Sequence, residues 1–117
     1  MPLLDGETVR AEGVLRSGVS MPYQRLSYVR VSERRVCLVQ HYAFKADALI
    51  NIPRDALTDV SRLDGPWVQL AIVHEAGPMK VRMRPWEKRL GRLVVERKLP
   101  LSPDELCSLL NDIRGSG

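Results

Sequence analysis

A chain of 117 residues with 44% apolar and 27% charged residues has the size and composition of one globular domain whose core needs no metal or disulfide support. These figures exclude collagen, coiled-coil and disordered classes. The longest apolar-rich run, 67–73, is far short of the ~20 residues that span a bilayer. The formal charge is +4 and unevenly placed. Residues 80–98 hold eight basic side chains (Lys80, Arg82, Arg84, Lys88, Arg89, Arg92, Arg97, Lys98) against two acids, Glu87 and Glu96, while the rest of the chain is slightly acidic.

The opening residues, Met1-Pro2-Leu3-Leu4-Asp5, lack the basic and long apolar regions of a secretory signal, so a cytoplasmic location is expected. Residues 1–6 read as a lead-in. Residues 7–16 alternate, with Val9, Ala11, Gly13 and Leu15 on one face and Thr8, Arg10 and Glu12 on the other. That is a strand with one side wet. Residues 17–22 read as a loop. Residues 25–31 and 35–40, joined by the polar Ser32-Glu33-Arg34, read as a hairpin. Residues 48–52 form the next strand, which Pro53 stops or confines to a sheet edge. A tight corner at 54–56 leads to strand 57–63, and Asp64-Gly65-Pro66 turns the chain. Residues 67–73 alternate again. A turn at 76–78 precedes 79–84, where Met79, Val81 and Met83 alternate with Lys80, Arg82 and Arg84.

Residues 86–99 carry two patterns. Trp86, Leu90, Leu93 and Val94 fit one helical face, but Gly91 followed by Leu93-Val94-Val95 favours a turn and an eighth strand. Ser102-Pro103-Asp104-Glu105 is a capping box with proline at the first helical position. It predicts a helix over about 103–114, with Leu101 stapled to Leu106 and a stripe of Leu106, Leu109, Leu110 and Ile113 that Gly115 ends. Short strands at this spacing followed by one helix predict a mainly β fold. It is a seven- or eight-stranded antiparallel barrel or sandwich with a C-terminal amphipathic helix, all in a single domain over 1–117.

Catalytic signatures are absent from the sequence. There is no nucleophile elbow, phosphate-binding loop or dinucleotide fingerprint. His41 and His74 have no second ligand at metal spacing, so no metal and no cofactor are expected. Cys37 and Cys107 form no Cys-x-x-Cys pair and read as small buried thiols in a reducing compartment. An enzyme is therefore not expected. The aromatic set is too thin for a base-stacking platform, which argues against a nucleic-acid partner; a weak nucleic-acid binder through 80–98 is an alternative.

Two family resemblances bear on function. Tyr28-Val29-Arg30-Val31-Ser32-Glu33-Arg34-Arg35-Val36-Cys37-Leu38-Val39 and Ile50-Asn51-Ile52-Pro53-Arg54-Asp55-Ala56-Leu57-Thr58-Asp59-Val60 resemble a pleckstrin-homology-like domain of the bacterial or GRAM type, and the amphipathic C-terminal helix fits that fold. Residues 85–101 exceed the strand-to-helix link usual there. The resemblance implies a binding scaffold for lipids, peptides or self-assembly, with Arg16 and Arg25 placed like the basic loop residues of lipid-binding members. Separately, Arg30-Val31-Ser32-Glu33-Arg34 and Asp59-Val60-Ser61-Arg62-Leu63-Asp64-Gly65 are similar to the arginine and Asp-x-Ser motifs of PilZ domains, the second with one residue too many. That resemblance implies cyclic di-GMP bound by Arg30, Arg34, Asp59 and Ser61, since arginine forks grip phosphate and stack on guanine.

The sequence thus predicts a non-catalytic interaction module. Its expected partner is a protein, a second copy of itself, or an anionic lipid surface at the inner face of the membrane. The candidate contacts are Lys80, Arg82, Arg84, Lys88, Arg89 and Arg92, the loop from Arg16 to Arg25, and any unpaired strand edge.

Overall fold

The computed structural model describes residues 5–18, 25–40, 46–74 and 77–115. Alternation of apolar and polar residues yields β1 (Val9–Gly18), β2 (Arg25–Ser32), β3 (Arg35–Gln40), β4 (Ala48–Pro53), β5 (Leu57–Arg62), β6 (Val68–His74) and β7 (Gly77–Pro85). These pair antiparallel in one sheet of order β4-β3-β2-β1-β7-β6-β5. A two-stranded hairpin, β8 (Glu87–Leu90) and β9 (Leu93–Arg97), follows, and helix α1 (Pro103–Gly115) ends the described chain.

The inward faces of β1 to β7 feed one core. Leu15, Val29, Val31, Leu38, Val68, Leu70 and Met83 are fully buried there, together with Leu106 and Leu110 of α1. The helix lies against β5. Its capping box forms as the sequence predicts: the Glu105 amide donates to Ser102 Oγ at 3.2 Å, and the Ser102 amide to Glu105 Oε1 at 3.1 Å. Arg62 ties the helix start to the sheet. It donates to Asp104 at 2.7 Å and to the carbonyls of Leu63, Gly65 and Trp67 in the turn that follows β5.

Three expectations are narrowed or corrected. First, of the barrel and the sandwich expected, the sandwich forms, and the sheet does not close into a barrel. β4 and β5 are its two ends, separated by a single 3-10 turn at Arg54–Ala56; Pro53, with no N–H to donate, ends the β4 edge. The architecture is an open sandwich. Second, the main sheet has the seven strands expected, and 86–99 supplies a two-stranded hairpin beside it rather than a single eighth strand. Gly91, with φ of 62°, opens a two-residue turn that β-branched and leucine residues flank, so hairpin pairing prevails over the helical spacing. Third, β1 runs through Ser17 and Gly18, and β7 starts at Gly77, where loop and turn were expected. Cross-strand partners extend these strands: Ser17 pairs with Arg25 and Met83, Gly18 with Arg82, and Gly77 with His74.

Polar side chains turned inward are satisfied by one another. Glu7 accepts a two-pronged ion pair from Arg35, 2.9 Å on each prong, and a 2.7 Å hydrogen bond from Ser32. Ser17 and Ser27 share a 2.6 Å hydrogen bond, and Gln40 donates to Ser17. Cys37 and Cys107 are buried free thiols, and burial pushes the Cys37 thiol above its ordinary value.

Candidate anion-binding face

The geometry of the candidate site follows from β-strand period. In β7 the inward residues are Val81, Met83 and Pro85, so Lys80, Arg82 and Arg84 share the outer face. In β1, Leu15 and Ser17 are inward and Arg16 is outward and exposed. The β1–β7 register then sets Arg16 directly opposite Arg84 and Gly18 opposite Arg82. On the other side of β7, Arg82 faces Gln69 and Lys80 faces Ala71. Four cations from distant parts of the sequence thus lie on one surface.

Arg82 and Arg84 rest on uncharged groups. Arg82 Nε donates to Gln69 Oε1 at 3.2 Å. The Arg84 guanidinium sits 5.9 Å from the centre of the Trp67 ring, in cation–π range. Among the described residues none of the four forms an ion pair. Like charges directly opposite on neighbouring strands repel, so the Arg16–Arg84 juxtaposition is a concentration of positive potential that an external anion would relieve. A shallow depression beside Lys80, lined by Thr58, Ala71, Ile72, Pro78 and Met79, adjoins this face.

Other sequence candidates lie elsewhere. Arg25 is opposite Ser17, on the alternate side of the sheet from Arg16, so these two do not form a joint site; residues 19–24 between them lie outside the described residues, as does His41. The basic stretch is not one surface. Past Pro85 it enters the hairpin, where Arg89 and Arg97 both clamp Glu87, at 2.8 and 3.2 Å. Burial alone would raise the Glu87 carboxyl, but hydrogen bonds from Arg89 and then Arg97 outweigh it and hold the group below the ordinary glutamate value. Lys88 is paired in register with Glu96, and Arg92 is exposed in the turn.

The PilZ-type residues do not converge through the sheet. Arg30 bonds Glu12 at 3.2 Å, and Arg34 lies 3.8 Å from Glu33. Asp59 accepts from Ser61 on β5, and β1, β7 and β6 intervene between β2 and β5. Glu12 also accepts a 2.7 Å hydrogen bond from Tyr28. That bond, and then the one from Arg30, hold its carboxyl below the ordinary value. Among the described residues no cluster of three or more His, Cys, Asp or Glu is arranged to hold a metal.

Sequence reasoning found Arg16, Lys80, Arg82 and Arg84 individually but missed their contact, and missed Trp67 and Gln69 as supports. The missing information was the β1–β7 pairing, which no local pattern encodes.

The fold is similar to part of a solved structure, the complex of the PDZ-RhoGEF DH/PH domains with GTP-γS-activated RhoA. The match has a TM-score of 0.64 at 14% identity, and covers 95% of this chain and 30% of that one. The fold is pleckstrin-homology-like. No family model matches the chain, and no curated protein matches it in sequence. At this identity the likeness establishes the PH-like architecture alone. No helix among the described residues is long and apolar enough to cross a membrane.

Proposed function

We propose that the chain is a non-catalytic PH-like module of the bacterial or GRAM type that rests on an anionic membrane surface through Arg16, Lys80, Arg82 and Arg84. The observation that carries this reading is the Arg16–Arg84 pairing in register, two like charges set face to face with neutral supports. Such a pair is mildly unfavourable within the sheet, and an anionic surface would relieve it. The module would act peripherally at the cytoplasmic face, held by charge.

Co-sedimentation with phosphatidylcholine vesicles, with and without phosphatidylserine, at two salt concentrations tests this. Binding only to the anionic vesicles, weakened by salt and removed in Arg16→Glu/Arg84→Glu, is the expected result. Wild-type binding by that variant would overturn it.

A protein partner is the second reading. It is favoured by β4, which among the described residues is an end of the sheet and carries Leu49, 62% exposed, on its outward face; an incoming strand could pair at such an edge. The PH-like neighbour of known structure is itself in a complex with a protein, RhoA. Cyclic di-GMP and nucleic acid remain ligands to be run as controls in the same binding assay.

A further inference from the structure

The β8–β9 hairpin stands apart from the body. Its base is fixed: the Trp86 amide donates to the Val14 carbonyl at 3.2 Å, the Val14 amide to the Lys98 carbonyl at 3.4 Å, and Leu99 is fully buried. The Lys98 ammonium lies 4.8 Å from the Trp86 ring centre. Beyond that root neither strand packs extensively on the sheet or the helix.

An isolated two-stranded hairpin is marginal in water, and this one spends no apolar side chain on the core. Leu90 is 74% exposed, Leu93 64% and Val95 49%. Leu90 and Leu93 are cross-strand partners on either side of the Gly91-Arg92 turn, so the outermost point of the hairpin is two leucines and an arginine. The Glu87 clamp leaves this tip without acids: Glu87 is held at the base by Arg89 and Arg97, and Glu96 is paired with Lys88.

We propose that this hairpin is an apolar anchor, inserting Leu90 and Leu93 into the headgroup–acyl boundary of an anionic bilayer while Arg92 meets lipid phosphates. The proposal rests on the membrane reading above and adds a second, chemically different contact to it. A convex tip of leucines with adjacent cations complements an anionic bilayer in both polarity and charge. The excess positive charge of the hairpin disfavours its pairing with a second copy. Membrane attachment by one weak signal is readily reversed, and a second signal makes it durable.

The test compares wild type, Leu90→Ser/Leu93→Ser and Arg16→Glu/Arg84→Glu on phosphatidylserine-containing vesicles at low and high salt. Both leucines are exposed, so the serine variant should melt with wild type. Insertion predicts that it partitions about tenfold or more weakly, with the salt-resistant part of binding lost. Leu93→Cys carrying an environment-sensitive dye should shift to the blue on the vesicles, Cys37 and Cys107 being buried. If the serine variant binds like wild type and the dye does not shift, the anchor is overturned while the cationic face stands. If wild type binds no anionic vesicle at low salt, both fall.

Discussion

The basic segment that looks continuous in sequence divides at Pro85 into two regions of opposite character. On β7 the arginines lean on neutral groups, Gln69 and Trp67, and a third arginine is brought opposite by β1. On the hairpin Arg89 and Arg97 share one nearly buried carboxylate, Glu87, and leucines occupy the exposed positions. The two regions have similar charge counts, but cross-strand register makes one a cationic face and the other an apolar tip. Which charges are available to a partner is set by what lies opposite them.

The largest effect should come from the body, where an ion pair is out of water. Glu7→Ala removes the acceptor of Arg35 and Ser32. Leaving a mostly buried guanidinium without its carboxylate should cost about 3 kcal/mol in denaturant unfolding. The hairpin counterpart, Glu87→Gln, should cost about 1 kcal/mol, because Arg89 and Arg97 can turn to water. Equal losses would mean that the hairpin is as much a part of the cooperative fold as the sheet.

Between these lies the junction of the two regions. A Cβ on Gly13 would overlap the Lys98 carbonyl and lie 2.7 Å from Leu99 Cα. Gly13→Ala must therefore push the hairpin root off β1, at about 2–3 kcal/mol. Circular dichroism melting of this variant, with the dye on Leu93→Cys as a reporter, would show whether the hairpin loosens before the sheet unfolds.

Acid should act on both regions with the same sign. Glu12, Glu87 and Glu105 all have folded values below the ordinary one. The stability they contribute is fully present above the unfolded value of about 4.3 and is lost as pH falls through the lowered folded values, because the unfolded chain binds protons first. Melting temperature should be flat near neutrality and decline below about pH 4. In Glu87→Gln that decline should be shallower. An unchanged slope would mean that the Arg89 and Arg97 contacts do not persist in solution.

Alternation made most of the sheet legible: the inward Ala11-Gly13-Leu15 and Val81-Met83 series lie where period two places them, whereas a register shift between Val9 and Ala11 sets Val9 opposite Ser32 and takes it out of that series. Pro53 correctly marked an edge, and the capping box fixed the helix start. Strand β8 was harder, since Trp86, Leu90, Leu93 and Val94 also satisfy a helical stripe, and only the positive φ of Gly91 decides between them. The site was legible as residue types and illegible as a place. Arg16 and Arg84 become neighbours only when the first strand pairs with the seventh, a long-range contact with no trace in either segment alone.

The smallest expected change in stability is also the most discriminating. Arg16→Glu converts a repulsive cross-strand pair into an attractive one with Arg84, so it should stabilise the fold by about 0.5 kcal/mol while weakening binding to anionic vesicles. An arginine kept only for structure or solubility would not show this opposition of signs, since its replacement would leave binding untouched. A gain in melting temperature together with a loss of vesicle binding would identify the Arg16–Arg84 repulsion as strain retained for a ligand. A gain without that loss would reduce the cationic face to ordinary solvated surface, and the β4 edge with exposed Leu49 would become the stronger candidate for contact.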